Sequence, residues 1–240
     1  MEIVFLSTNF PGRINLLDVK LIVMLFPISS ERNGLSSRKF RVIKHEIRIV
    51  GVDDGIFVPH TKGLADVIGV VFRGGYWLDG VMKTEIAIDG MDATVKIGGM
   101  ISGSPHYAQI RVIMLDGVTF GGFNVVDING LSMLTRLPVI AVTRDEPDFE
   151  DIRKALTHLP ESRERWRILE NQSVLISVNS RKGEEPIYMQ IAGISREDAE
   201  KIVKETSTRS NIPEPLRVAH LIASSLSKAN SGSRKPELKS

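Results

Sequence analysis

From residue 41 onward the chain falls into short runs dominated by apolar and β-branched residues, punctuated by glycine turns. RVIKHEIRIVGVD, ADVIGVVFRGG and DGVMKTEIAID are three such runs, and the short spacing between them predicts three neighbouring antiparallel strands. MDATVKIGGMIS changes period and reads as a short helix opened by an acidic residue. IRVIMLD and PVIAVT are apolar throughout, at the length of strands buried on both faces, with the helical segment VVDINGLSMLTR between them. Beyond residue 147 the pattern predicts a helix in PDFEDIRKALTHL, acidic early and with His158 late as the helix dipole favours. A charged stretch around Trp166, strands in SVLISV and PIYMQIA, and helices in SREDAEKIVKET and PEPLRVAHLIASSL follow. Three hairpin-linked strands, a helix, and then buried strands with helical crossovers make a mixed α/β sheet covered on both faces.

The two ends differ from this. Residues 1–38 close on the polar, turn-forming SSERNGLSSRK and read as an arm and linker outside the main domain of 39–228, and the polar, basic stretch 229–240 reads as a disordered tail. LLDVKLIVMLFP in the arm is too short to span a membrane, is interrupted by Asp18 and Lys20, and has no basic segment before it. The expectation is a soluble, cytoplasmic protein without membrane association. A hydrophobic content of 42% over 240 residues sustains a large core. With 31 basic against 29 acidic side chains, a polyanion would have to be bound by a local patch rather than by net charge. The absence of cysteine excludes disulfides, zinc–thiolate sites and thiol catalysis.

Two carboxylates stand where apolar runs end. Asp53 closes HEIRIVGVD and Asp116 closes IRVIMLD, the first and fourth predicted strands, and they would lie side by side if those strands are neighbours. Converging carboxylates repel one another unless protonated or bridged, and the usual bridge is a hard divalent cation such as Mg²⁺ or Mn²⁺, which serves phosphoryl chemistry. Taken singly, each aspartate also reads as an ordinary turn opener. The histidines at 45, 60, 106, 158 and 220 show no HxH or HExxH spacing. His220 lies among Leu216, Ala219, Leu221 and Ile222 at helical period and reads as a packed or surface residue. GGFNVVDING and RGGYWLDG are glycine-rich without a phosphate-cradling motif, and no GxSxG elbow occurs. Tyr76 and Trp77, near Arg73, suit either stacking on bases or cross-strand pairing in a hairpin, and GGYW together with the arm suits contacts in a homo-oligomer.

KFRVIKHEIRIVGVDDG, GVVFRGGYWLDGVMKTEI and IMLDGVTFGGFNVVDI are similar to segments of an archaeal family of uncharacterised proteins, over residues 38–228. That family in turn resembles endonuclease V, a metal-dependent nuclease of ribonuclease H-like fold that acts on nucleic acid carrying inosine. GVD at 51–53, MLDG at 114–117, TRLPVIAVTR at 135–144 and IPEPLRVAHLIA at 212–223 carry this second likeness. The resemblance implies a sheet of three antiparallel strands followed by parallel strands, Asp53 and Asp116 as catalytic metal ligands, and Arg144 in the place of a lysine near the scissile phosphate. Its third ligand is a glutamate ahead of the first long helix; Asp92 is the nearest equivalent, with Asp89 and Glu85 behind it and a plain helix cap as the alternative role for Asp92.

The departures are as specific. The Tyr-x-Pro-Gly wedge is missing between 85 and 95, VTFGGFN lacks the histidine that follows DG, and IAGIS at 191–195 replaces a Gly-His pair ahead of the closing helix. Two functions therefore fit: a Mg²⁺- or Mn²⁺-dependent endonuclease or phosphodiesterase on DNA or RNA, using Asp53, Asp116, Asp92 and Arg144; or a non-catalytic nucleic-acid-binding protein that relies on Arg73, Tyr76 and Trp77.

Overall fold

The computed structural model describes residues 40–59 and 61–231. The expectations for the N-terminal arm 1–38 and for the tail beyond residue 231 lie outside the described residues, while residues 229–231, expected to be disordered, continue the last helix. Within them the chain forms β1 (Arg48–Asp54), β2 (Leu64–Arg73), β3 (Trp77–Ala87), α1 (Ala93–Ser102), β4 (Val112–Asp116), β5 (Thr119–Phe120), β6 (Asn124–Val125), α2 (Ile128–Thr135), β7 (Val139–Thr143), α3 (Phe149–Leu156), α4 (Ser162–Glu170), β8 (Ile176–Val178), β9 (Ile187–Ala192), α5 (Arg196–Thr206) and α6 (Glu214–Ser231). No helix among the described residues is long and apolar enough to cross a membrane.

Seven strands make one mixed sheet in the order β3-β2-β1-β4-β7-β9-β8. β1, β2 and β3 pair antiparallel as the glycine turns predict, and β4 and β7 extend the sheet parallel to β1. The last two strands depart from the expected parallel completion. β8 runs with β7, and the polypeptide then turns back to insert β9 between them, antiparallel to both. The first predicted strand is also shorter than its apolar pattern: the Ile47 N–H donates to the Lys44 C=O at 2.9 Å, so 44–47 is a turn and only the second half of RVIKHEIRIVGVD joins the sheet. VTFGGFN forms the separate β5–β6 ribbon, its bend made by Gly121 and Gly122 at φ 52° and 90°, a region that side chains disfavour.

Alternation along the central strands divides the core. Val50, Val52, Ile113 and Leu115 face α1 and α2 through Ala93, Ile97, Ile101, Ile128 and Leu131. Ile49, Val112, Met114, Ile140 and Val142 face α5 and α6 through Ala199, Ile202, Val203 and Leu216. Gly51 and Asp53 alternate with Val50 and Val52, so they belong to the α6 side. α6 lies unusually close there: a Cβ on Gly51 would come within 2.4 Å of the backbone carbonyl carbon and oxygen of Pro215.

The charged stretch around Trp166 is helix α4, and its Arg165 is 1% exposed. The guanidinium donates to the C=O of Pro160 at 2.9 Å, Gly90 at 2.7 Å, Asp89 at 2.7 Å and, through Nη1, Phe123. One arginine thereby joins α4, the turn after β3 and the β5–β6 ribbon.

Replacing Gly51 with alanine is expected to push α6 off β1. The cost, about 1–3 kcal/mol for an overpacked contact, will appear as a lower urea midpoint, and amide exchange should accelerate in α6 ahead of β4.

Candidate metal centre

The parallel ladder of β1 and β4 pairs Val52 with Leu115, so one residue further on Asp53 and Asp116 emerge as neighbours on the same face. α6 supplies a third group by simple geometry. Pro215 sits on Gly51; five residues along a helix advance about 7.5 Å, and two along a strand about 6.6 Å, so the fifth residue after Pro215 reaches the axial level of the second after Gly51. Those residues are His220 and Asp53, and their Nδ1 and Oδ2 atoms are 2.8 Å apart. One ligand atom from each of Asp53, Asp116 and His220 lies within 4.8 Å of the other two. Asp53 is buried, Asp116 is half-buried and His220 is exposed, so the cluster is closed toward the sheet and open toward solvent.

Burial first, and then the charges of Asp116 and Asp54, push the Asp53 carboxyl up to about 7; the hydrogen bonds from His220 and from the Asp54 N–H oppose this without cancelling it. Asp116 is also raised by burial, against the pull of His220 and Arg144. Asp54 is raised chiefly by burial too, although its Oδ2 accepts the Gly121 N–H at 2.7 Å. Three adjacent acidic groups are thus held above their ordinary range chiefly by burial. Two carboxylates and an imidazole within one coordination radius fit a divalent cation, with Mn²⁺ better matched to the nitrogen donor than Mg²⁺.

Arg144 follows directly on β7, is exposed, and acts on Asp116 through its charge, so it stands at the same edge of the sheet. Asp92 is a different matter. It holds the N-cap position of α1 but caps no helix N–H; its Oδ1 accepts the Ala87 N–H at 3.1 Å and Asn124 Nδ2 at 2.7 Å. It is not in the trio, because its carboxylate is committed to tying β3 to β6, and the buried Asn124 caps α1 instead by accepting from Ala93 N–H at 3.0 Å. Of its two substitutes, Asp89 accepts the Phe123 N–H at 2.9 Å, and Glu85 lies opposite Asp66 within the β2–β3 ladder.

The third member of the trio is His220, which its apolar neighbours in sequence disguised. It is exposed as expected, yet aimed at Asp53. The usable signal was the matched spacing of Gly51–Asp53 and Pro215–His220, which means nothing until α6 is known to lie on β1. Its Nε2 faces Ser224 Oγ at 3.5 Å, the outer limit of a hydrogen bond and too long to activate a serine. Arg73, Tyr76 and Trp77 are not brought to this centre. Arg73 pairs with Arg48 at the start of β1, six residues and about 20 Å from Asp54.

A sheet of three antiparallel strands continued by parallel ones, with helices on both faces, is the ribonuclease H-like fold, shared with endonuclease V. The chain belongs to the family described as Endonuclease dU, whose model matches residues 45–227. A UPF0215 protein of Methanothermobacter thermautotrophicus is 53% identical over 192 residues, covering 80% of this chain and 93% of its own. One from Pyrococcus furiosus is 41% identical over 194 residues, covering 80% and 97%. Among solved structures, a protein of unknown function from Archaeoglobus fulgidus superposes with a TM-score of 0.66 at 39% identity, covering 75% of this chain and 97% of that one. Endonuclease V of Ciona intestinalis, in complex with inosine-containing DNA, gives 0.54 at 18% identity over 76% and 87%, a likeness of fold.

A raised carboxyl stabilises the fold below its ordinary pKa, and that stability is lost as pH rises through the folded value. In EDTA, unfolding free energy should therefore decline from about pH 4 to about pH 7, the window between 3.8 and about 7 for Asp53. Urea titrations across this range should show the slope in the natural protein and a flatter one in Asp53→Asn.

Proposed function

We propose that this protein is a divalent-metal-dependent endonuclease that cleaves nucleic acid, with DNA containing deoxyuridine as its substrate. The observation that carries the reading is the meeting of Asp53, Asp116 and His220 within 4.8 Å at the edge of a ribonuclease H-like sheet. The family description supports the deoxyuridine, and nuclease-like neighbours in fold support the reaction class.

Asp53, Asp116 and His220 would hold the ion, Mn²⁺ or Mg²⁺. When bound, it supplies positive charge against a phosphate and makes water a stronger acid. The remaining work falls to the protein. Asp53 is positioned by two anchors, its Oδ1 accepting the Asp54 N–H at 2.8 Å and its Oδ2 facing His220 Nδ1. Loading the ion requires the proton at the Asp53 carboxyl to leave, so apparent metal affinity rises with pH up to about 7. Arg144 faces solvent beside Asp116 and would take a phosphate by paired N–H donors. The buried, apolar side of the centre under α6 keeps bulk water to the open face, where a phosphodiester would approach.

The test is incubation of the purified protein with oligonucleotides carrying deoxyuridine, inosine or neither, with Mn²⁺ or Mg²⁺. Cleavage of the deoxyuridine strand is expected, lost in EDTA and reduced at least about a hundredfold in Asp116→Asn. Binding without cleavage under all these conditions would instead identify a non-catalytic nucleic-acid-binding protein, and cleavage undiminished in Asp116→Asn would show that the site lies elsewhere.

A further inference from the structure

At the end of the sheet away from the carboxylates, three exposed rings and a half-buried guanidinium lie in succession, with His45 and Tyr76 stacked and Trp77 tilted 48° from Tyr76. The ring of His45 lies 5.0 Å from that of Tyr76 with planes inclined at 26°, Tyr76 is 5.5 Å from Trp77, and the Arg73 guanidinium lies over Trp77 at 5.5 Å. Tyr76 and Trp77 are 54% and 45% exposed, so they contribute little to the core.

The base of the stack is nonetheless fixed. The Gly74 N–H donates to the Ile47 C=O at 2.8 Å, Thr208 Oγ1 donates to the Gly75 C=O at 3.2 Å, and Gly74 takes a left-handed φ of 55° to make the turn. Asp79 holds Arg73 at 2.9 Å and Arg48 at 3.4 Å. Two guanidinium groups sharing one carboxylate leave the patch positive. Rigid aromatic faces beside surplus cationic charge are what unpaired bases and their phosphates require, and little conformational freedom is lost when they are engaged.

We propose that His45, Tyr76, Trp77 and Arg73 form a stacking platform for unpaired bases of the same nucleic acid whose backbone meets the Asp53 and Asp116 edge. This rests on the nucleic-acid reading above and adds a second contact to it. The separation of about 20 Å along β1 corresponds to at most roughly six nucleotides, the number reached if the strand keeps the duplex rise of about 3.4 Å, and to fewer in an extended strand. The sheet offers a route between the two places. β3 is an edge strand running from Trp77 to Ala87, with Val81 and Lys83 exposed, and its far half borders a shallow depression lined by Lys83, Thr84, Glu85 and Lys96. Lys83 is partnered by Asp66 at 2.8 Å, so a phosphate there would compete with a carboxylate. The main anchorage therefore falls to the aromatic end.

Trp77 reports on this directly, since the protein has two tryptophans and Trp166→Phe leaves it as the single emitter. In a Trp166→Phe, Asp116→Asn background, where cleavage does not interfere, oligothymidylates of about four, eight and twelve nucleotides are titrated at low salt. The expected result is quenching of Trp77 and a gain in affinity between the shortest and the longer strands. Removal of one ring in Tyr76→Ala should weaken binding of the longer strands by about five- to a hundredfold and abolish the length step. In parallel titrations read by anisotropy, Trp77→Ala should do the same, while Trp77→Phe keeps most of the affinity and controls for folding. Binding with Trp77 emission unchanged, or with equal affinity after ring removal, overturns the platform and leaves the endonuclease reading intact. Failure of every strand to bind also overturns the platform, while the endonuclease reading stands or falls on cleavage of the deoxyuridine strand. A fall from dimer to monomer mass in Trp77→Ala would assign the patch to contacts between copies of the protein and overturn the platform as well.

Discussion

Two like charges share the end of one parallel ladder, and much of the domain serves to keep them there. β1 and β4 are buried on both faces, and each Val, Ile or Leu removed from water contributes about 1.5–3 kcal/mol. Ile49, Val50, Val52, Val112, Ile113 and Leu115 are all fully buried on these two short strands. Their combined contribution exceeds the several kcal/mol that burying a carboxylate costs. The centre is thus imposed on the fold by surplus aliphatic packing, and burial together with the charges of Asp116 and Asp54 raises the Asp53 carboxyl there.

The same logic explains the crowding under α6. A helix can bring a side group to a strand-end carboxylate only if its axis comes close enough, and the bare Cα of Gly51 permits that approach to Pro215. Once seated, α6 also covers Ile68, Val70 and Phe72 of β2 through Ala219 and Ala223, so small residues on the helix and a glycine on the strand set its height together. His220 is delivered by that height rather than by any local motif.

On the other side of the sheet, polar groups do the positioning. Arg165 satisfies four carbonyls from three segments, Asn124 bridges Asp92, Ala87 and Ala93, and Asp54 and Asp89 hold the ribbon by the Gly121 and Phe123 N–H groups. A buried guanidinium without its partners would be costly, so this network is retained only as a complete set. It consumes Asp89 and Asp92, which in sequence looked as available as Asp53. The centre is left with two carboxylates and an imidazole on one face, while the cationic, aromatic surface is at the opposite end of β1.

The three antiparallel strands, the buried β4 and β7, most helices, and the placement of Asp53 and Asp116 at strand ends were all legible in the order of residues, because hydrophobic period and glycine turns are local signals. The β5–β6 ribbon, the returning β9 and the burial of Arg165 left no such trace, since each depends on contacts between segments far apart along the polypeptide. Choosing among the acidic residues was likewise beyond the sequence: whether a carboxylate binds a neighbouring N–H or remains available is decided by what packs beside it. His220 shows the limit most plainly. Its identity and helical setting could be read directly, but its meeting with Asp53 needed the separation of two axes, and only tertiary packing fixes a distance of that kind.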